Sequence, residues 1–180
     1  MEERERYQPM KIEIQFDDTR KEDDCMKDLT YRALTEADKR EICDWKYEGE
    51  YALYNLPSFE EMQAQEMGFM DPASEKNYVA FLDGETLVGF VNILEEPTEV
   101  FIGIGVNPNL CGKHYGRRML ALSYEISKER YPGKPLYLEV RTWNARAVKC
   151  YEKAGFRIDG EPFEMTTGIG TGTFYRMTKE

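Results

Sequence analysis

The sequence predicts an α/β (α+β) protein of one domain, with a mixed, mostly antiparallel central sheet of about seven strands flanked by about four helices. Three observations predict it. Segments rich in strand formers alternate with segments of helical spacing from residue 29 onward. Two of the later strands run through a polar loop or cap straight into a helix. The 180 residues, 41% hydrophobic and 13% aromatic, are enough for one full core.

Taken in order, residues 1 to 27 carry 9 acidic and 6 basic side chains and read as a charged N-terminal extension. Within it, Lys11 to Phe16 alternates like an accessory strand, and Met10 is a second candidate start. Residues 28 to 180 form the expected domain. Leu29 to Leu34 is its first strand, and Thr35-Glu36-Ala37-Asp38 opens a helix with capping-box spacing. Ser58-Phe59-Glu60-Glu61 repeats that signal at a second helix. Asn77 to Leu82 and Thr86 to Leu94 are strands joined through Asp83-Gly84-Glu85, a hairpin signal, and Glu99 to Val106 is the next strand. Met119 to Ile126 has helical spacing, Leu136 to Val140 reads as a buried strand, and Ala145 to Ala154 as the fourth helix. Arg157 to Met165 and Thr173 to Thr178 complete the sheet as a hairpin, with Thr166 to Thr173 as its flexible, glycine-rich loop. That loop precedes no helix, so it does not read as a nucleotide loop.

Chemistry concentrates in two stretches. Val106-Asn107-Pro108 ends a strand, and Cys111-Gly112-Lys113-His114-Tyr115-Gly116-Arg117-Arg118 is a basic, glycine-bearing loop running into a helix. The first amides of a helix have no internal partners and carry partial positive charge, which receives phosphate well. The second stretch, Leu136 to Phe156, reads as strand, cap, helix and stop, with Asn144 at the cap and Gly155 just past the end. Steps of three and seven residues place Asn144, Ala147 and Tyr151 on one face, suited to a long thin ligand.

Together these stretches resemble the acyl-CoA loop and the following strand and helix of the GCN5-related N-acetyltransferase (GNAT) superfamily. The match rests on Val106-Asn107-Pro108 before the loop and on Asn144, Ala147, Tyr151-Glu152-Lys153 and Gly155-Phe156 after it. The wording Leu138-Glu139-Val140-Arg141 is similar to bacterial enzymes that acetylate protein N-termini. The family loop is usually Arg/Gln-x-x-Gly-x-Gly/Ala, and here Cys111 stands at the first position and His114 at the first glycine. Histidine tolerates positive φ better than most residues. His114 therefore reads as a loop residue near phosphate before it reads as a catalytic group, and Cys111 as a tolerated loop residue before a nucleophile.

The resemblance implies an N-acetyltransferase using acetyl-CoA as co-substrate and a primary amine as acceptor, either a small molecule or a peptide or protein N-terminus. It implies that the backbone of Ile104, Gly105 and Val106 pairs with the pantetheine arm like an added strand. Amides from Gly112 through Lys113, His114, Tyr115 and Gly116 to Arg117 would hold the pyrophosphate. Tyr151 would give a proton to the departing thiolate. Strand alternation sets Glu139 apart from the apolar face of Leu136, Leu138 and Val140, so it either serves the site as general base or pairs with Arg141. The segment from Trp45 to Asn55, with Tyr47, Glu48, Tyr51 and Tyr54, reads either as substrate-facing, since aromatic faces and carboxylates attract ammonium, or as a satellite core. The alternative function is a noncatalytic acyl-CoA sensor or interaction module on the same fold.

Composition bounds the partners. A net charge of −10 and a pI near 4.8 argue against nucleic acid. No apolar run approaches a membrane span, and the charged start is unlike a signal peptide, so a cytoplasmic protein is expected. Cysteines at 25, 43, 111 and 150 lack metal-ligand spacing, so no metal and no disulfide framework are expected. The oligomeric state expected is monomer or homodimer.

Overall fold

The computed structural model describes residues 29–180; the expected extension, with its possible strand, Met10 and Cys25, lies outside the described residues. The strands are β1 (Thr30–Ala33), β2 (Tyr78–Asp83), β3 (Thr86–Glu95), β4 (Val100–Val106), β5 (Leu136–Arg141), β6 (Arg157–Ile158), β7 (Phe163–Thr167) and β8 (Gly170–Lys179). The α-helices are α1 (Glu36–Asp44), α2 (Phe59–Ala64), α3 (Tyr115–Arg130) and α4 (Ala145–Lys153), with a 3₁₀ helix at Gly49–Tyr54 between the first two. Among the described residues, no helix is long and apolar enough to cross a membrane.

The eight strands form one sheet in the order β1-β2-β3-β4-β5-β8-β6, with β7 also paired to β8. Every pairing is antiparallel except β4 with β5. Alternation divides the sheet's side chains between two cores. Val91, Ile93, Ile102, Leu138 and Met177 face α3 and α4 with Met119, Leu120 and Phe156. Ala80, Leu82 and Leu87 face α1 and α2 with Ile42, Trp45, Phe59 and Met62.

Helix starts follow their caps. At α1 the Thr35 hydroxyl accepts from Asp38 N–H at 3.2 Å while the Asp38 carboxylate accepts from Thr35 N–H at 2.7 Å, the expected capping box. Asp38 also binds the Arg32 guanidinium, tying the helix to β1. The Ser58 hydroxyl accepts from Glu61 N–H at 3.2 Å and starts α2.

Two expectations near the C-terminus are corrected. The single strand expected from Arg157 to Met165 is two, β6 and β7, because Gly160 turns at φ +80° and Pro162 has no N–H to add to a ladder. This raises the strand count from about seven to eight among the described residues. The flexible loop expected over Thr166 to Thr173 is mostly sheet. Thr167 pairs with Gly170, so only Gly168 and Ile169 form the turn, and the threonines around it are good strand formers.

Candidate active site

The site begins where the sheet comes apart. β4 and β5 pair only at Val100 with Leu136 and Phe101 with Tyr137, while β3 holds β4 along its whole length. Beyond Phe101 the two parallel strands therefore diverge. A cleft of about 600 Å³ opens between them, lined by both strands, the Leu110–Arg117 loop and α4. Val100 N–H donates toward the β5 side, to Pro135 O at 2.9 Å. Because backbone groups alternate sides along a strand, those of Ile102, Ile104 and Val106 also point into the gap. Gly105, expected beside them, turns its backbone groups to β3 instead; a Cβ there would strike the Phe90 ring.

At the end of β4, Asn107 turns the chain: its N–H reaches Val88 O at 2.9 Å and its side-chain oxygen accepts from Asn109 N–H at 3.0 Å. The loop then reaches α3 with Gly112 at φ +82° and His114 at φ +65° as the helix N-cap. His114 thus adopts the left-handed shape that a glycine would take. Helix geometry leaves the amides of Tyr115, Gly116 and Arg117 without internal partners, facing the cleft their residues line. Lys113 does not join them. Its N–H is committed to Leu110 O at 3.3 Å, and its exposed side chain does not line the cleft.

α4 forms the opposite wall, and Asn144, Ala147 and Tyr151 all line the cleft. Asn144 is the N-cap: its oxygen accepts from Ala147 N–H at 3.1 Å and its amide nitrogen donates to the Tyr54 hydroxyl at 3.3 Å. The two helices approach closely because Gly116 has no side chain; a Cβ there would sit 3.1 Å from Cys150 Sγ. Arg117, Arg146, Lys149 and Lys153 bring positive charge to the cleft lining. The three on α4 were missed from the sequence, although spacings of three and four residues put them on one helix side.

Two groups could move protons. The Tyr151 hydroxyl makes no hydrogen bond within the described residues, and burial first, then Cys150 and Tyr54, hold it above the ordinary value despite Arg146. It is therefore a protonated donor at neutral pH. Glu139 lies across from Arg176 on β8 but is bonded to neither it nor Arg141. Arg176 is held by Glu99 and Asp159, and Arg141 by the carbonyls of Gly170 and Thr171 at 3.1 and 3.3 Å, with its guanidinium over the Phe174 ring. The pairing of Glu139 with Arg141 considered from the sequence is thus absent. Burial, opposed by Arg176 and reinforced by Glu96 and Glu99, raises the Glu139 carboxyl above its usual range. Cys111 and Cys150 both line the cleft, and burial raises both thiols, which disfavours the nucleophilic thiolate.

The aromatic segment divides. Trp45, Tyr47 and Tyr54 line the cleft; Glu48 and Tyr51 do not. Glu48 is exposed, and Tyr51 lies between Trp143, at 5.7 Å, and the Arg146 guanidinium, at 4.1 Å. Trp45 packs on Phe90 in the core of α1 and α2, so the satellite-core reading holds for it as well. Among the described residues, no group of His, Cys, Asp or Glu is placed to hold a metal ion.

A slot lined by strand groups turned away from the sheet, a helix start with unpaired amides, cationic side chains along the wall, and a raised carboxylate and a protonated phenol inside suit an extended phosphorylated thioester. Comparison with known proteins gives this arrangement its relatives. The family model described as acetyltransferase (GNAT) family matches residues 17–156. The chain is similar to the N-alpha-acetyltransferase RimI of Mycobacterium tuberculosis, 36% identical over 86 residues, covering 45% of this chain and 52% of that protein. It is also similar to an N-alpha-acetyltransferase of Sulfurisphaera tokodaii, 33% identical over 92 residues, covering 44% of this chain and 55% of that one. The chain thus spans about half the length of the curated relatives it matches. Among solved structures, spermidine N-acetyltransferase from Vibrio cholerae in complex with CoA and spermine superposes with a TM-score of 0.68 at 23% identity, covering 83% of this chain and 94% of that one. The aminoglycoside acetyltransferase AAC(6')-Ib in complex with coenzyme A superposes with a TM-score of 0.64 at 19% identity, covering 84% and 95%. At these identities the superpositions speak to the fold.

Proposed function

The chain belongs to the acetyltransferase (GNAT) family, and from that membership we propose that it transfers the acetyl group of acetyl-CoA directly to a primary amine. We take residues 28 to 180 as the catalytic domain. The observation that carries the reading is the divergence of β4 from β5, which turns the backbone groups of Ile104 and Val106 toward a cleft floored by unpaired helix amides. The pantetheine arm would pair with those strand groups as an added strand does. The pyrophosphate would take the amides of Tyr115 to Arg117, with Arg117, Arg146, Lys149 and Lys153 supplying opposite charge.

The acceptor amine is mostly protonated at neutral pH, so Glu139 takes its proton, directly or through water. The amine nitrogen then bonds to the thioester carbonyl carbon, the carbon–sulfur bond breaks, Tyr151 delivers its phenol proton to the departing sulfur, and the second proton of the acylated nitrogen returns through water to the Tyr151 phenolate. No covalent intermediate on the protein is required. Among the described residues, Glu139 is the single carboxylate lining the cleft, so these residues offer counter-charge to one ammonium group. This favours an acceptor with one amine, such as a peptide N-terminus, over a polyamine. The N-alpha-acetyltransferase relatives support the same choice.

Thiol release from acetyl-CoA against N-terminal peptides, amino acids, polyamines and aminoglycosides tests the proposal. Release with peptides or single amines supports it. Tight CoA binding without release from any amine would instead assign a sensor.

A further inference from the structure

The segment between α1 and α2 bridges the two arms of the splayed sheet. On one side the Tyr47 hydroxyl donates to Val106 O at 2.7 Å, at the end of β4. On the other, the Tyr54 hydroxyl accepts from the Asn144 amide at 3.3 Å, at the start of α4. The rings of Tyr51 and Tyr54 stand 5.7 and 6.0 Å from Trp143, in the turn between β5 and α4. The segment is also closed on itself. Asn55 accepts from Tyr47 N–H at 2.6 Å and donates to Tyr47 O at 3.2 Å, so residues 47–55 form a unit that can shift as one piece.

The carbonyl that Tyr47 holds is one of the backbone groups facing the gap, and the Tyr47 ring lines the same cleft. Burial keeps the phenol protonated, so it remains a donor across the working pH range. We propose that Tyr47 is a latch: its hydroxyl and a pantetheine amide are rivals for the Val106 carbonyl, so acetyl-CoA binding displaces Tyr47 and releases residues 47–55 from β4. The released strap forms part of the wall against which the acceptor docks, so loading of the co-substrate resets the acceptor site. Tyr47 is in this sense a positioning residue that couples the two halves of the cleft. The inference rests on the acetyl-CoA reading above.

The exchange has a readable consequence. In the native chain, binding trades one hydrogen bond on Val106 for another; with the hydroxyl removed, the incoming amide adds a bond with none to replace. Tyr47→Phe should therefore bind acetyl-CoA roughly fivefold more tightly, the worth of one neutral hydrogen bond. Calorimetry with acetyl-CoA measures this. Stopped-flow fluorescence supplies a second readout, because the strap packs on Trp143. In the native chain the emission change should have a rate that levels off with acetyl-CoA concentration, as latch opening becomes limiting, and in Tyr47→Phe that ceiling should rise. Trp143→Phe identifies the reporter by abolishing the signal. Equal or weaker affinity in a normally melting Tyr47→Phe, or an emission from Trp143 that does not respond to binding, would overturn the latch. If the native chain does not bind acetyl-CoA, the functional reading falls and the latch with it; binding without these effects removes the latch alone.

Discussion

In the proposed mechanism, Tyr151 and Glu139 divide the proton work by environment. Burial holds the phenol protonated and so available to the leaving sulfur, while the same effect on a carboxylate moves a weak base toward the working pH. Tyr151→Phe should lower kcat by at least about 100-fold, the usual worth of a general acid, with calorimetric acetyl-CoA affinity little changed. An unaltered kcat would remove Tyr151 from the mechanism. For Glu139 the sign follows from the role proposed for it: a base must be ionised, so activity is present above its raised pKa and declines as pH falls through it. The acid limb of a kcat/KM profile should accordingly lie above the ordinary carboxylate range, and Glu139→Gln should be slower and lack that limb. A native-like limb in that variant would assign the ionisation elsewhere. Cys111 and His114, the two departures from the family loop, are accommodated by the backbone: His114 takes the left-handed φ itself, and the pyrophosphate ligands proposed are amides.

At the scale of elements, the helix starts give two tests. In the α1 capping box, burial opposes ionisation of Asp38, but hydrogen bonds from Arg32 and Thr35 outweigh it and hold the carboxyl below its usual value. A depressed folded pKa stabilises above the unfolded value and is lost as pH falls through the folded one. Asp38→Asn should cost about 1 kcal/mol near neutral pH, typical of a lost cap, and the difference in melting temperature should shrink on acidification. In the loop before α3, Gly112 sits at φ +82°, where proline cannot go. Gly112→Pro should weaken acetyl-CoA binding by at least about tenfold, since even an ordinary L-residue loses about 1–2 kcal/mol in left-handed geometry and proline must abandon it. Normal affinity in calorimetry would displace the pyrophosphate from this loop. These local features were legible in the sequence because each is written within a few residues: Thr35 with Asp38, Asn144 with Gly155, Asp83-Gly84-Glu85 in its hairpin. The broken strand at Asp159 to Pro162 is written there too, in a glycine between Asp159 and Glu161 and a proline after them.

At the scale of the whole molecule, what the sequence conceals is distance. The cleft exists because β4 and β5 share only two paired positions before parting, and no local pattern in either strand marks where a parallel ladder stops. The bond from Tyr47 to Val106 joins residues 59 apart, and the bridge from Tyr54 to Asn144 joins residues 90 apart. The aromatic segment was recognised as unusual, but its attachment to both arms of the sheet could not be read from its composition. Glu139 shows the same division. Alternation placed it off the apolar face, whereas its freedom from Arg141 depends on carbonyls that the β7–β8 turn brings to that arginine. The core could be listed from periodicity, since Leu136, Leu138 and Val140 are all buried on one face. The site needed the fold, because a splayed sheet assembles it from parts of the chain far apart in sequence.

The central claim is that this cleft passes an acetyl group from CoA to an amine. Its most direct test is the rate of thiol release from acetyl-CoA with and without an N-terminal peptide. The prediction is release that depends on the peptide, saturates with it, and leaves the peptide acetylated at its α-amino group. Acetyl-CoA bound tightly, with no release above the amine-free rate for peptides or for any other amine in the panel, would contradict it.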